Sequence, residues 1–341
     1  MTAMGQELEE ARARLVTRRA HNVEKWKADP GLLRIARGAY LETDDQWKPW
    51  ERARMIGLAR ALWVLQMNPS HLMTMETAAL LHGLPLIGSQ EQVHIATGRT
   101  GGQRRTHVRG RTARSDSDLV IRRYAHGVPD SEISETHGIR VVTRERLMLD
   151  MARFRPAQES LPVTDAALRS LTNSSRFRRE KAKADAAPIQ RRLMERLDEI
   201  PGQRGVRRAR DVLFYTNPLA ESPGESQMRW ILLALGLPAP IAQKHVTVQE
   251  EHFYPDLWIE ILKLGFEYDG LAKYNLDTRD GRSAFMQEKR RDDLLISAGK
   301  RPHHLIQEDV ATIDAGRKAL ERCVGADALR RYTPRPLLLA R

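Results

Sequence analysis

FYPDLWIEILKLGFEYDGLAKY, residues 253–274, is a strand-like stretch set in helical, arginine-rich sequence. Pro255-Asp256 precede one apolar run, and Glu267-Tyr268-Asp269 lie inside the next. Residues 256–261 and 266–269 read as a hairpin that turns through LKLG. Alternate residues of a strand share a face, and opposed residues of an antiparallel pair point the same way. Glu267 and Asp269 therefore share a face, and any register in which opposed residue numbers sum to an odd value brings Asp256 to it. A turn centred on Leu262-Lys263 opposes Asp256 to Asp269 and Trp258 to Glu267. An even register scatters the three carboxylates.

Clustered carboxylates repel unless a cation neutralises them, and hard oxygen donors suit Mg²⁺ or Mn²⁺. A metal held this way activates water and stabilises charge on a phosphodiester. The plain alternative is a half-buried hairpin whose acids face solvent, which alternation alone produces.

Downstream, FMQEKRRDDLLISAG reads as an amphipathic helix, RPHHLIQ as a strand, and DVATIDAGRKALERCV as a last helix. Upstream, ESPGESQMRWILLALGLPAP has Ser222 as N-cap, Pro223 at the first helical position and Gly236 as a stop. Glu225 completes a capping box by reaching back to the cap's N–H. The order α-β-β-α-β-α from residue 218 onward predicts a compact α/β domain with a mixed sheet. His303 and His304 are neighbours on a strand, so they face opposite ways and make poor joint ligands.

The rest divides into a charged helix (residues 1–30), a region at 31–125, and a mostly helical, basic connector at 126–217. Apolar residues at helical spacing mark a helix at about 51–67, and TMETAALLHGL a second, with Thr74 as N-cap and Gly83 as stop. QVHIAT then alternates as a strand. Helices followed by short strands predict a winged helix-turn-helix. Arg104, Arg105, Arg109 and Arg111 in the basic run that follows suit a wing or loop along a phosphate backbone, or a solvated loop. His82 reads as a packed residue rather than a base.

With 341 residues, the chain has room for two or three cores. A net charge of +12 favours polyanions through counterion release, without proving that it binds them. The single cysteine, Cys323, excludes a disulfide framework or cysteine-based zinc site and reads as part of an ordinary helix. No stretch approaches ~20 continuous apolar residues, and the charged N-terminus does not read as a leader, so a cytoplasmic protein without a membrane span is expected.

The set SPGESQMRWILLALGLPAPIAQ, YPDLWIEILKLGFEYDGLAKY and FMQEKRRDDLLISAG resembles the PD-(D/E)xK nuclease superfamily, in the branch of very-short-patch-repair-like endonucleases, over about residues 218–310. The resemblance implies a restriction-endonuclease-like domain over 218–341, with Asp256 and Glu267 as Mg²⁺ (or Mn²⁺) ligands and Glu225 as an accessory acid. Asp269 stands where the superfamily has lysine. In this branch an acid is normal there, assisting the metal or orienting a water. Lys273 or Lys289 would supply the positive charge, with Lys273 preferred for its place at the strand end. Lys289, Arg290 and Arg291 on the helix that follows suit phosphate contacts or a solvated helix face. RIARGAYL, ETAALLHGLPL, VHIAT and VVTRERLMLDMAR resemble AbiEi-type antitoxins. The function implied is a DNA-binding, metal-dependent endonuclease in phage defence or a toxin–antitoxin-like system; the rival is an antitoxin-like regulator with a degenerate nuclease fold. DNA is the partner implied, with RNA, a homodimer and a toxin or defence-system component left open.

Overall fold

The computed structural model describes residues 2–17, 31–88, 92–98, 101–106, 119–270 and 279–340, with side chains undescribed at 105–106, 279–285 and 287–288. The chain is α/β and forms two compact units, residues 1–147 and 148–341. Among the described residues, no helix is long and apolar enough to cross a membrane.

In the first unit, α1 (Ala3–Arg14) is followed by a three-stranded antiparallel sheet of β1 (Leu15–Thr17), β2 (Leu32–Ala36) and β3 (Ala39–Glu42), in the order β1-β3-β2. The helical spacing at 51–67 emerges as α2 (Pro49–Met67), and TMETAALLHGL as α3 (Met75–Leu81), with Thr74 in the N-cap position but without a side-chain cap hydrogen bond. Gly83, at φ +73°, ends α3 in the left-handed region that favours glycine. A six-stranded mixed sheet follows. Its strands are β4 (Leu72–Met73), β5 (Gln92–Ala96), β6 (Gly102–Thr106), β7 (Leu119–Tyr124), β8 (Ile133–Thr136) and β9 (Ile139–Val142), in the order β6-β7-β5-β4-β9-β8. This sheet is larger than the small hairpin of a wing. β5 is central in it, so both of its faces are covered: Val93, His94 and Ile95 are all buried. His94 is accommodated by Thr77, Tyr124 and Glu76. His82 is packed, its Nε2 2.7 Å from the Val142 carbonyl.

Helix α4 (Arg144–Phe154) runs through the division between the units. The second unit continues with α5 (Ala157–Thr172), α6 (Arg179–Asp198), α7 (Val206–Tyr215) and α8 (Pro223–Ala234). α5 and α8 are pinned together by Asp165, which accepts from Ser226 Oγ (2.7 Å), Asn217 N–H (2.7 Å) and the Arg229 guanidinium. Both charges of this pair are buried. Gly236, at φ +91°, ends α8 as its sequence predicts, and a Cβ there would strike the Thr333 carbonyl.

A four-stranded sheet completes the unit: β10 (Ile241–Ala242), β13 (Leu257–Ile259), β14 (Leu264–Asp269) and β15 (Arg301–Ile306), in that order. β14 and β15 are parallel, joined through α9 (Arg279–Ser297), and the other pairs are antiparallel. α10 (Gln307–Val310) and α11 (Ile313–Val324) follow, and the short helices α12 (Ala326–Leu329) and α13 (Pro336–Leu339) close the chain order. β11 (Val246–Val248) and β12 (Glu251–Phe253) continue β10 and β13 in the same register, as a ribbon leaving the sheet. The ribbon turns at Gln249-Glu250, both at positive φ, which matches the twist a two-residue hairpin loop requires.

The β13–β14 hairpin differs from the expected register by two residues. Leu257 faces Phe266 and Ile259 faces Leu264, with residues 260–263 as the loop and Lys263 at φ +53°. This slip sets buried apolar side chains against one another, where the expected pairing would oppose Leu257 to Tyr268. A two-residue slip preserves parity, so the acids keep a common face.

Candidate functional site

Asp256 stands one step before β13, and the hairpin register places it opposite Glu267 rather than Asp269. Its Oδ2 accepts from the Tyr268 N–H at 2.9 Å, and its Oδ1 from Gln243 Nε2 at 3.0 Å. The Gln243 N–H donates to the Asp256 carbonyl at 2.9 Å. The same Gln243 amide reaches Glu225 Oε2 at 3.3 Å, so it bridges two carboxylates from different elements. Gln243 is completely buried, and its Oε1 has no hydrogen-bond partner among the described residues. A buried amide oxygen without a donor is uncommon in a folded protein.

Ser222 caps α8 as predicted, its Oγ accepting from Glu225 N–H at 3.1 Å. The Glu225 carboxylate does not close the capping box onto the Ser222 N–H. It extends one residue further, to the Glu221 N–H at 2.9 Å, where it also meets Gln243. Burial, and then the charge of Asp256, push the Glu225 carboxyl up to about 7. Gly224 lets this helix end approach the sheet: a Cβ there would lie 2.1 Å from the Tyr268 ring.

The other two acids carry cationic partners. The Arg291 guanidinium from α9 forks onto both oxygens of Glu267, which is buried. His304 Nδ1 lies 3.0 Å from Asp269 Oδ2, and its Nε2 2.9 Å from Asp292 Oδ2. The Asp269 hydrogen bond, with both carboxylates adding charge attraction, raises His304 to about 9, so it is protonated at neutral pH. His303 turns the other way and packs on Phe266, at 5.6 Å between ring centroids. The two histidines do face opposite ways, and one of them joins the acidic face.

The expected lysine is not what the described residues offer. Lys273 lies outside them, and Lys289 and Arg290 are exposed on α9. Arg291 and His304 are the cations that touch the acids. The sequence marks Arg291 as a phosphate contact or a solvated helix residue and His304 as half of a poor pair of joint ligands, and it does not single out Gln243 or Asp292. Strand alternation was the signal for His304, since it leaves one histidine of the pair on the acidic face; nothing local marks Gln243. Of the basic run, Arg104 is exposed on β6, Arg105 lies on β6 with its side chain undescribed, and Arg109 and Arg111 fall outside the described residues. Burial raises the Cys323 thiol to about 11, so it is no thiolate at neutral pH.

Among the described residues, no group of three or more histidines, cysteines or acids stands ready to hold a metal ion. The donor chemistry nevertheless suits a hard cation: two mutually repelling carboxylates, an amide oxygen without a donor, and Glu267 opposite them. What holds the cluster together without a cation is the Gln243 amide and the Arg291 guanidinium.

The model of the AbiEi antitoxin C-terminal domain matches residues 71–200, from the strand before α3 to the end of α6. Comparison with curated proteins and with solved structures gives no match.

Proposed function

We propose that the second unit is a divalent-cation-dependent phosphodiesterase acting on nucleic acid, in a chain whose AbiEi-antitoxin-like region supports a toxin–antitoxin or abortive-infection setting. The observation that carries the reading is the Glu225–Gln243–Asp256 cluster: a buried acid and a half-buried one, the first raised to about 7 by burial and by its neighbour, joined by an amide whose oxygen lacks a donor among the described residues. The helix–strands–helix–strand order around it, with β14 and β15 parallel, supports the likeness to the very-short-patch-repair-like branch of the PD-(D/E)xK nucleases.

Asp256, Glu225, Gln243 Oε1 and Glu267 would hold Mg²⁺ or Mn²⁺, which when bound supplies an activated water and charge neutralisation. The chain's own groups do the rest. Arg291 and protonated His304 bring positive charge to the face where phosphate oxygens arrive. Asp269 and Asp292 hold His304 in place and keep it charged. The Tyr268 N–H fixes the Asp256 carboxylate. DNA binding by the first unit, through Arg104 and the basic run after it, belongs to the same proposal.

A second reading has its own observation. Arg291 and His304 already neutralise Glu267 and Asp269, as in a regulator whose nuclease fold no longer turns over. Incubation of the full chain with supercoiled plasmid and single-stranded DNA in Mg²⁺ or Mn²⁺ separates the two. The enzyme cleaves, and Asp256→Ala stops it. A gel shift without cleavage in either cation supports the regulator.

A further inference from the structure

The ribbon of β11 and β12 has one face in the core, where Val246, Val248 and Phe253 pack with Trp258 and Leu295. Alternation sends His245, Thr247, His252 and Tyr254 to its other face, and there the rings meet. Tyr254 stacks on His245, with centroids 5.1 Å apart and planes at 20°. His245 lies 4.8 Å from His252, with a 2.9 Å contact between Nε2 and Nδ1. Phe177, from the segment between α5 and α6, meets Tyr254 edge-on at 5.9 Å.

Four rings thus form a row. Phe177, at its head, is 72% exposed, so core packing does not account for its position. A lone exposed phenylalanine is ordinary; one that heads a row of rings, with a guanidinium over it, is not. Arg176 lies 5.3 Å over the Phe177 ring, and Arg178 is exposed beside it. The exposed acids Glu250 and Glu251 bound the row at the ribbon tip, which repels phosphates there. Arg176 also reaches Glu221, at 3.5 Å, which Arg169 shares at 3.2 Å, so the three arginines leave net positive charge at this end and confine a polyanion to the Phe177–Tyr254 side. From that side the chain leads directly to the Gln243–Asp256 pair, two residues along each strand and about 7 Å away.

We propose that Phe177, Tyr254, His245 and His252 form a stacking platform for the bases of a single-stranded nucleic acid, whose backbone is held by Arg176 and Arg178 and directed toward Asp256. Every base offers a π-face to a ring, whereas a duplex keeps its base faces inside the stack. The direction of the strand rests on the phosphodiesterase reading; the platform does not.

The test is fluorescence anisotropy of the full chain with labelled oligo-dT, oligo-U, an abasic oligomer of equal length and a duplex, all in EDTA, so that hydrolysis plays no part. Oligo-dT or oligo-U binds more tightly than the abasic oligomer and the duplex, and the tighter of the two identifies the sugar. Phe177→Ala and Tyr254→Ala each weaken that binding by roughly tenfold, and Tyr254→Trp restores it. Phe177→Ala removes an exposed ring, so its result does not depend on whether Tyr254→Ala folds. Equal affinity for the abasic oligomer, or Phe177→Ala within twofold of wild type, overturns the platform. Binding that follows the rings without cleavage in Mg²⁺ overturns the hydrolytic reading alone.

Discussion

Glu225→Gln is expected to stabilise the protein, and to do so only above a definite pH. The Glu225 carboxyl titrates at about 7 in the folded chain against 4.5 ordinarily. At about 1.36 kcal/mol per pH unit, the ionised group costs the fold about 3 kcal/mol. An acid whose folded value is raised binds its proton more tightly when folded, so its penalty is absent below pH 4.5, grows between 4.5 and 7, and is complete above 7. Glutamine keeps an acceptor for the Glu221 N–H and the Gln243 amide while removing the charge. Thermal unfolding in EDTA at pH 8 should show the variant more stable by about 3 kcal/mol, some 6–10 °C for a unit spanning residues 148–341. At pH 5 the gap should fall below about 1 kcal/mol. Mg²⁺ at pH 8 should narrow it by stabilising the wild type, since a ligand of the folded state raises its stability. A gap of equal size at both pH values refutes the view that Asp256 and burial together strain this carboxylate.

Three other expectations concern the framework of each unit. Asp165→Ala leaves the buried Arg229 guanidinium without its carboxylate and should cost about 3–5 kcal/mol, measured by urea unfolding. His82 is held neutral, its value lowered chiefly by burial. A base lowered in this way gives stability that is present above 6.5 and lost as pH falls through that range, so His82→Gln should flatten the acid limb of the wild-type stability curve. Gln249-Glu250→Asn-Gly suits the positive φ of both turn residues and should raise the stability of the second unit by about 1 kcal/mol, read from the unfolding midpoint.

Much of the second unit was legible because its signals are local. The Ser222-Pro223 start and Gly236 stop follow from cap chemistry, and the shared face of Asp256, Glu267 and Asp269 from a period of two. The register was not legible, because a hairpin loop of four residues and one of two leave the same parity; only the burial of Leu257, Ile259, Leu264 and Phe266 decides between them. Gln243 escaped notice because its role depends on β10 lying beside β13, a pairing that no local pattern encodes. The partners of Arg291 and His304 were not legible, because pairing Arg291 with Glu267 and His304 with Asp269 depends on how α9 and β15 pack on β14. In the first unit, two helices and one alternating strand suggested a winged helix, but the six-stranded sheet is assembled from pairs far apart in the chain, such as β4 with β9.

The proposed function requires that the Glu225–Gln243–Asp256 cluster hold a hard divalent cation. Isothermal titration of Mn²⁺ into the full chain at pH 8 tests it most directly, with wild type compared against Asp256→Asn and Gln243→Leu. The wild type should show a saturable site that is lost in Asp256→Asn and weakened in Gln243→Leu. A wild type that binds no Mn²⁺, or an Asp256→Asn chain that binds it equally well, would contradict it.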